Sequence, residues 1–337
     1  MAVTIREVAE AAGVSTATVS RALRGLPYVD DATRLRVLAA AANLDYVVSP
    51  SASRLASGRT GSIAVVTPFI ARWFFSTVLS GVEQVTHDAV LDLLLLGVGD
   101  PDRPSEVPTE QRLRQRADGA IIVALPADDP EVRALLNANL PVSIVGSLVP
   151  DVPCVAIDDA EAGRKATAHL LNLGHRRIAV ISGSRAGSIY TTQEHRYRGY
   201  CDALSAVGIE PDPTLVAFGQ FTREGGEQAM VELLNLTFMP TAVFCMSDEM
   251  AFGASVALRR RGLVAGVDIS LIGIDGHPQS EVIDLTTVEQ PVESMGRFAA
   301  ESLLAVLGLT PPPERAPGLV STRLVSRGST APPRDGG

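Results

Sequence analysis

Thr16, Ala17, Ser20 and Arg21 are the residues whose types and spacing could do chemistry first along the chain. If a helix starts after Ser15, they share its outer side. Small polar groups can approach base edges closely, and an arginine can give two hydrogen bonds to one guanine. The other reactive residue types show no working spacing. His87, His169, His175, His195 and His277 are scattered, and Cys154, Cys201 and Cys245 contain no C-x-x-C pair, so no metal site is expected. His175, in an L-G-H turn, reads as a structural hydrogen-bonding residue. No G-x-S-x-G, Walker loop or H-E-x-x-H occurs, and Gly97-Val98-Gly99 lacks the rest of a dinucleotide fingerprint. No catalytic residue and no cofactor are expected, and the chain reads as a non-enzyme.

Two short helices must position the residues at 16–21. Thr4 and Glu7 form a T-x-x-E capping box, with Val8, Ala9 and Ala12 on one face of the helix it starts. Gly13 can turn at positive φ, and Ser15 can cap a second helix through Leu23, with Val19 and Leu23 facing inward. Two such helices around a tight turn suit a major groove. Thr16, Ala17 and Arg21 are the base-facing candidates. Thr4, Ser15, Thr18, Ser20 and Tyr28 are better placed for phosphates, and Arg24 joins the same candidate set. Asp30 is an N-cap for a third helix over 31–43, with an expected inward stripe of Val37, Leu38, Ala41 and Leu44. The three helices make a headpiece over 1–46 whose small core is only marginally stable alone.

Residues 47–60 read as a hinge. Ser49 can cap, Pro50 fits a first helical position and Gly58 ends the turn. A helix over 51–56 has barely two turns, too short to persist alone in water. From residue 62 the rhythm changes. Short apolar strands at 63–66, 92–96, 120–123 and 142–145 alternate with helices at 74–88, 105–116 and 129–138. A second set begins near 155, with helices at 160–173, 193–207, 223–236 and 248–261 and strands at 178–182, 215–218, 242–245 and 270–274. This βαβα order predicts doubly wound parallel sheets, so the fold class is α/β: a three-helix helix-turn-helix headpiece plus two doubly wound subdomains. Ligands of such sheets bind at the carboxyl ends of the strands.

The chain has 337 residues and a net charge of −9, yet residues 1–60 carry +2 and the rest −11. A slightly basic module on an acidic body is compatible with DNA binding, because only the docking surface must attract phosphates. The three isolated thiols read as buried small hydrophobes in a reducing compartment. The apolar runs, such as 93–96, are far too short to span a bilayer, and no basic-then-apolar leader opens the sequence. A cytoplasmic location without membrane contact is expected.

The order V-A-x-x-A-G-V-S-x-x-T-V-S-R at 8–21 resembles the LacI/GalR family of ligand-responsive transcriptional regulators. So do GHRRIAVISG (174–183), SDEMAFGA (247–254), DISLIGIDG (268–276) and LTTVEQP (285–291). The resemblance implies a periplasmic-binding-protein-like body over 61–330 that binds effector and dimerises. Its N-subdomain would comprise about 61–159 and 290–318, its C-subdomain about 160–289 and 319–330, with a disordered tail at 331–337. It implies that Thr16 and Ala17 set sequence preference. It also implies that the hinge folds on operator DNA, with Leu55 wedging into the minor groove and Ala52 at the contact between hinge helices. The family's Tyr-x-Pro-Asn is here Tyr46-Val47-Val48-Ser49, with the proline at 50.

For the effector, Arg196 in H-R-Y-R-G matches the family's R-x-x-G arginine that grips ligand oxygens. Asp275 matches the aspartate that accepts from ligand hydroxyls. Phe74 and Phe75 match a ring platform, and the Asn-Pro often found before it is replaced by Arg72-Trp73. Trp73, the single tryptophan, is expected to stack on the ligand. Ser247, Glu249 and Gln290 are weaker correspondences, and Gly146-Ser147 stands where many relatives carry a polar contact. The implied partners are double-stranded, pseudo-palindromic operator DNA, a small-molecule effector that is a sugar, and a second copy in a homodimer. The implied mechanism is repression, with cleft closure setting whether the hinges order. The alternatives are a solute-binding protein sharing the two-lobed body, a sugar- or nucleotide-processing enzyme on the same sheets, and an activator in place of a repressor.

Overall fold

The computed structural model describes residues 3–23, 25–46, 59–98, 110–138, 140–184, 191–314 and 318–334. The chain divides into two units, Met1–Thr60 and Gly61–Gly337.

The first unit holds α1 (Ile5–Ala12), α2 (Thr16–Leu23) and α3 (Asp31–Asn43). The capping box at Thr4 is closed in both directions, Thr4 N donating to Glu7 Oε2 at 2.7 Å and Glu7 N to Thr4 Oγ1 at 3.4 Å. Gly13 ends α1 in the left-handed region at φ +67°. Ser15 Oγ accepts from Thr18 N at 3.1 Å, and Asp30 Oδ1 accepts from Thr33 N at 2.8 Å. Each such cap stabilises a helix by about 1 kcal/mol. That matters here because the core is small: Val8, Val19 and Val37 with five alanines. Leu38, expected inside, is 45 % exposed and Ala40 is buried instead. The stripe runs through 37, 40, 41 and 44, which leaves residue 38 about 100° off it.

The second unit is built on two six-stranded sheets. In the first, β1 (Ser62–Thr67), β2 (Asp92–Gly97), β3 (Gly119–Val123), β4 (Val142–Val145), β5 (Cys154–Ile157) and β11 (Gly318–Val320) lie in the order β11-β5-β4-β3-β1-β2. All its pairings are parallel. In the second, β6 (Ile178–Ser182), β7 (Val216–Phe218), β8 (Ala242–Cys245), β9 (Ser270–Asp275), β10 (Thr286–Glu289) and β12 (Arg323–Val325) lie in the order β12-β10-β9-β8-β6-β7. Only β12 runs antiparallel to its neighbour β10. Both orders are doubly wound, so each sheet has a crevice where its strand order reverses. The central strands β1, β3, β6 and β8 are buried throughout, as a parallel strand covered on both faces must be.

The helices are α4 (Trp73–Asp88), α5 (Glu110–Arg114), α6 (Pro130–Leu136), α7 (Asp159–Asn172), α8 (Thr191–Ser205), α9 (Arg223–Leu234), α10 (Asp248–Arg260), α11 (Gln279–Val282) and α12 (Val292–Val306). The helix expected over 105–116 is present as the shorter α5, with 99–109 outside the described residues. The chain returns to the first sheet through α12 and β11, then crosses once more to supply β12.

The tail expected to lose order from 331 is instead tied down as far as Arg334. Ser270 Oγ donates to Ala331 O at 2.9 Å, and Arg334 Nη1 reaches Asp268 Oδ1 at 2.6 Å. Buried polar groups account for this anchoring. His175 is 1 % exposed, with Nδ1 2.9 Å from Thr241 Oγ1 and Nε2 2.8 Å from Ala331 O, so the tail completes its hydrogen bonding. Cys154 and Cys245 are buried, while Cys201 is half-buried. Among the described residues no helix is long and apolar enough to cross a membrane. None of their His, Cys, Asp and Glu side chains group as a metal site.

Candidate effector cleft and nucleic-acid interface

A cleft opens where the carboxyl ends of both sheets meet. Its wall is drawn from loops that follow β1, β3, β4, β6, β7, β8 and β10, together with the ends of β5 and β9. Arg196, on the second turn of α8, is the centre of its polar side. Arg196 Nε donates to Asp159 Oδ1 at 2.8 Å, Nη1 lies 3.6 Å from Asp275 Oδ1, and Nη1 also donates to Met246 O. Gln290 Nε2 donates to the same Asp275 Oδ1 at 2.8 Å. Asp275 Oδ2 and Arg196 Nη2 make no hydrogen bond among the described residues. The site therefore presents one acceptor edge and one donor edge side by side, the pair a vicinal diol needs.

The electrostatics follow from burial. Burial alone would lower the Arg196 pKa, but Asp159 and Asp275 more than offset it and hold the guanidinium charged. Burial pushes the Asp275 carboxyl up to about 8, with Arg196 pulling the other way and Asp248 adding to the rise. Asp275 also sits at φ +137°, a conformation that costs about 1–3 kcal/mol and concentrates at ligand sites. Behind it Asp248 is fully buried and takes hydrogen bonds from Thr287 Oγ1 at 2.7 Å, His277 N at 2.8 Å and Ser280 Oγ at 2.9 Å. Asp248 is thus a brace for the loop that carries Asp275. Ser247 caps α10 by accepting from Met250 N at 3.3 Å, which leaves its hydroxyl hydrogen for the cleft. Burial raises the Glu249 pKa, opposed by Arg72 and the Trp73 backbone.

The apolar side comes from the segment after β1. Phe74 and Phe75 meet edge to face at 5.3 Å, and Phe75 meets Phe69 at 5.5 Å. Arg72 lies over the Phe69 ring at 3.6 Å and reaches Gln220 O at 3.5 Å. Of the expected effector residues, Arg72, Phe74, Phe75, Arg196, Ser247, Glu249, Asp275 and Gln290 all line the cleft, and Gly146 does so as well. Trp73 does not. It packs on His277 with ring centroids 4.8 Å apart, and His277 packs in turn on Phe252 at 5.0 Å. Two helical steps put Trp73 about 200° from Phe75, so it faces away from the cleft that Phe75 enters.

Seven lining residues escaped the sequence reading, among them Asp159, Thr192 and Phe221. Asp159 was findable as a strand-end residue, since it stands two residues past the end of β5. Phe221 was not, because Gln220 and Phe221 adopt φ +54° and +51° without a glycine to signal the turn.

In the first unit, Thr16, Ala17 and Arg21 are exposed on α2, and Ser20 is half-buried beside them. Thr4 and Ser15 are exposed, but their hydroxyls serve as caps, and Thr18 Oγ1 lies 2.9 Å from Ser15 Oγ. Tyr28 is 96 % exposed at φ +73°. Arg24, Ala52 and Leu55, and with them most of the expected hinge, lie outside the described residues.

Residues 60–317 match the family model described as periplasmic binding proteins and sugar binding domain of LacI family. Residues 4–49 match bacterial regulatory proteins, lacI family. The chain is similar to the HTH-type transcriptional regulator GalR of Salmonella typhimurium, 36 % identical over 339 residues that cover 99 % of this chain and 98 % of that protein. It is similar to the lac repressor dimer bound to operator and the anti-inducer ONPF, at a TM-score of 0.84 and 28 % identity, covering 98 % of this chain and 100 % of that one. A complex of the transcriptional regulator CelR with cellobiose is similar at a TM-score of 0.66 and 33 % identity, covering 97 % and 99 %.

Proposed function

The chain belongs to the LacI family of bacterial regulatory proteins, and on that premise we propose a homodimeric transcriptional repressor that a small hydroxylated ligand, a sugar, switches on its operator. The observation that carries the ligand half is the juxtaposition of Arg196 Nη2 and Asp275 Oδ2, neither hydrogen-bonded to a described residue, in a cleft at the strand ends. Groups so deeply buried gain most from a partner that completes their hydrogen bonds. The DNA half is supported by the exposed Thr16, Ala17 and Arg21 on the second helix of a capped helix-turn-helix, with each headpiece of a dimer reading one half-site. The relatives named above are regulators, and one of the similar structures is a dimer on operator DNA.

Dimerisation is supported by β2. It is the edge strand of its sheet, and Leu93 to Leu96 along it are half-buried or exposed. An apolar edge of this kind needs a cover, and a second copy provides one. Coupling would run through residues 47–60: ligand stabilises one arrangement of the two lobes, and that arrangement sets whether the segments bearing Ala52 and Leu55 can order on DNA. Action on DNA inside the cell, without turnover of the ligand, completes the reading.

The test is a thermal-shift screen of mono- and oligosaccharides on the full chain, repeated with Arg196→Ala and paired with selection of duplexes from a random pool. The reading requires a saccharide that raises the melting temperature of the parent but not of Arg196→Ala, and selected duplexes with two-fold symmetry. Equal shifts in both proteins, or no selected duplex, would overturn it.

A further inference from the structure

Trp73 stands outside the cleft but not outside the contact between the two halves of the body. Arg72 and Trp73 follow β1 of the first sheet and open α4, and what they meet belongs to the second sheet. Arg72 Nη1 reaches Gln220 O at 3.5 Å, in the loop after β7. Burial raises the Glu249 carboxyl on α10, and Arg72 and the Trp73 backbone N–H pull it back. The Trp73 ring lies 4.8 Å from the His277 ring at 42°, and His277 meets Phe252 of α10 edge to face at 5.0 Å. The first turn of one helix thus holds three separate points of the opposite half: a carbonyl, a carboxylate and an aromatic ring.

His277 is mounted as a fixed plate. Its backbone N–H donates to Asp248 Oδ2 at 2.8 Å, and its ring Nδ1 accepts from Gln279 N at 3.0 Å. The second bond places the ring hydrogen on Nε2. Burial lowers the His277 pKa and so keeps the ring neutral. Phe252 supports the plate from α10. A ring held at backbone, nitrogen and side cannot follow Trp73 when the two halves part. The contact is therefore either made or broken, which is how a packed interface switches.

The same helical turn ties this contact to the ligand. Phe74 and Phe75 follow Trp73 directly and line the cleft, so the cleft wall cannot draw back without lifting Trp73 off His277. From there α4 runs to Asp88 and the chain continues into β2, the edge strand of the first sheet. Movement at Trp73 therefore reaches the edge assigned above to the second copy.

We propose that Arg72 and Trp73 form a latch between the two halves of the body, closing on Gln220, Glu249 and His277, and that Trp73 is a positioning residue for a ligand it does not touch. The proposal rests on the effector-cleft reading above and adds the contact that sets how readily the cleft closes. Ligand in the cleft and Trp73 on His277 favour the same arrangement, so each strengthens the other. An aromatic pair shifts such a two-state equilibrium by about two- to tenfold.

Trp73 is the single tryptophan of the chain, so its fluorescence in the full chain reads the latch directly. Acrylamide should quench it more in His277→Ala than in the parent, and a saccharide from the thermal-shift screen should lower quenching in the parent. Trp73→Ala should raise the saccharide concentration at half-saturation by about two- to tenfold and leave the operator response at saturation unchanged. Trp73→Phe keeps a ring on His277 and should stay within about twofold of the parent. Trp73→Ala combined with His277→Ala should bind no more weakly than Trp73→Ala alone, because both remove one contact. Without ligand, Trp73→Ala should shift operator affinity in the direction opposite to the ligand's shift. Quenching unchanged by His277→Ala, additive losses in the double variant, or a ligand-free operator affinity unmoved by Trp73→Ala would overturn the latch. A screen in which no saccharide binds would overturn the effector-cleft reading instead, and the quenching and ligand-free operator measurements would still decide the latch.

Discussion

Arg196 Nε lies 2.8 Å from Asp159 Oδ1, so the arginine that faces the ligand is braced by a carboxylate on the first turn of the neighbouring helix. Both side chains are about nine-tenths buried. Removing the guanidinium strands buried Asp159 without its ion-pair partner and takes a donor from Met246 O. Arg196→Ala should therefore lower the unfolding free energy of the body by about 3–5 kcal/mol, measured by urea denaturation. Arg196→Lys should recover only part, since one ammonium cannot reach Asp159, Asp275 and Met246 O in the same fork. A fully stable Arg196→Ala would mean the brace carries nothing.

The closeness of that brace depends on two glycines. A Cβ on Gly199 would collide with Ala160 O, and one on Gly163 with Arg196 O, so α7 and α8 touch backbone to backbone beside the ion pair. Gly199→Ala should destabilise the body by about 1–3 kcal/mol through overpacking, and should weaken ligand binding by displacing Asp159. Gly208→Ala is the control. It stands in open space at φ +76°, so it should cost backbone strain alone and leave binding unchanged.

Asp275 gives the site a pH dependence. Its carboxyl is pushed up to about 8 from an ordinary 3.8. The folded protein therefore holds this proton more tightly than the unfolded chain. The resulting stability is fully present below the unfolded value and is lost as pH rises through about 8. Asp275→Asn cannot titrate, so its melting temperature should fall less than the parent's between about pH 5 and 8.5. Parallel curves for the two proteins would contradict this assignment.

Arg21 is the exposed, charged candidate for base contact on α2. Arg21→Ala should weaken binding to the selected operator by about 1–3 kcal/mol and relax preference at one base pair of each half-site, read by anisotropy across operator variants. The melting temperature of the body should not move. A uniform loss on all sequences would place Arg21 on phosphate instead.

Much of this architecture was legible in the sequence, for identifiable reasons. The central strands are unbroken apolar runs bounded by turns, and the helix starts at Thr4, Ser15 and Asp30 are written in side chains that cap their own backbone. Arg196 and Asp275 were legible because a strand end is where such sheets bind. The place of Asp159 near a strand end was legible but its pairing with Arg196 was not, because an acid in the first turn of a helix already has a local explanation. Leu38 and Trp73 were misplaced for one shared reason. Composition marks a residue as apolar or aromatic, but a single helical step of about 100° decides which neighbour it meets. The apolar end of the cleft stayed hidden because Phe221 is aimed by two left-handed residues that no glycine announces.

The most direct test of the whole account is the affinity of the full chain for its selected operator, measured by anisotropy at fixed salt with and without a saturating ligand from the cleft screen. The account predicts a change of about fivefold or more in the parent, the scale of a working coupling between two sites, and none in Arg196→Ala. Equal operator affinity with the cleft empty and filled would contradict it.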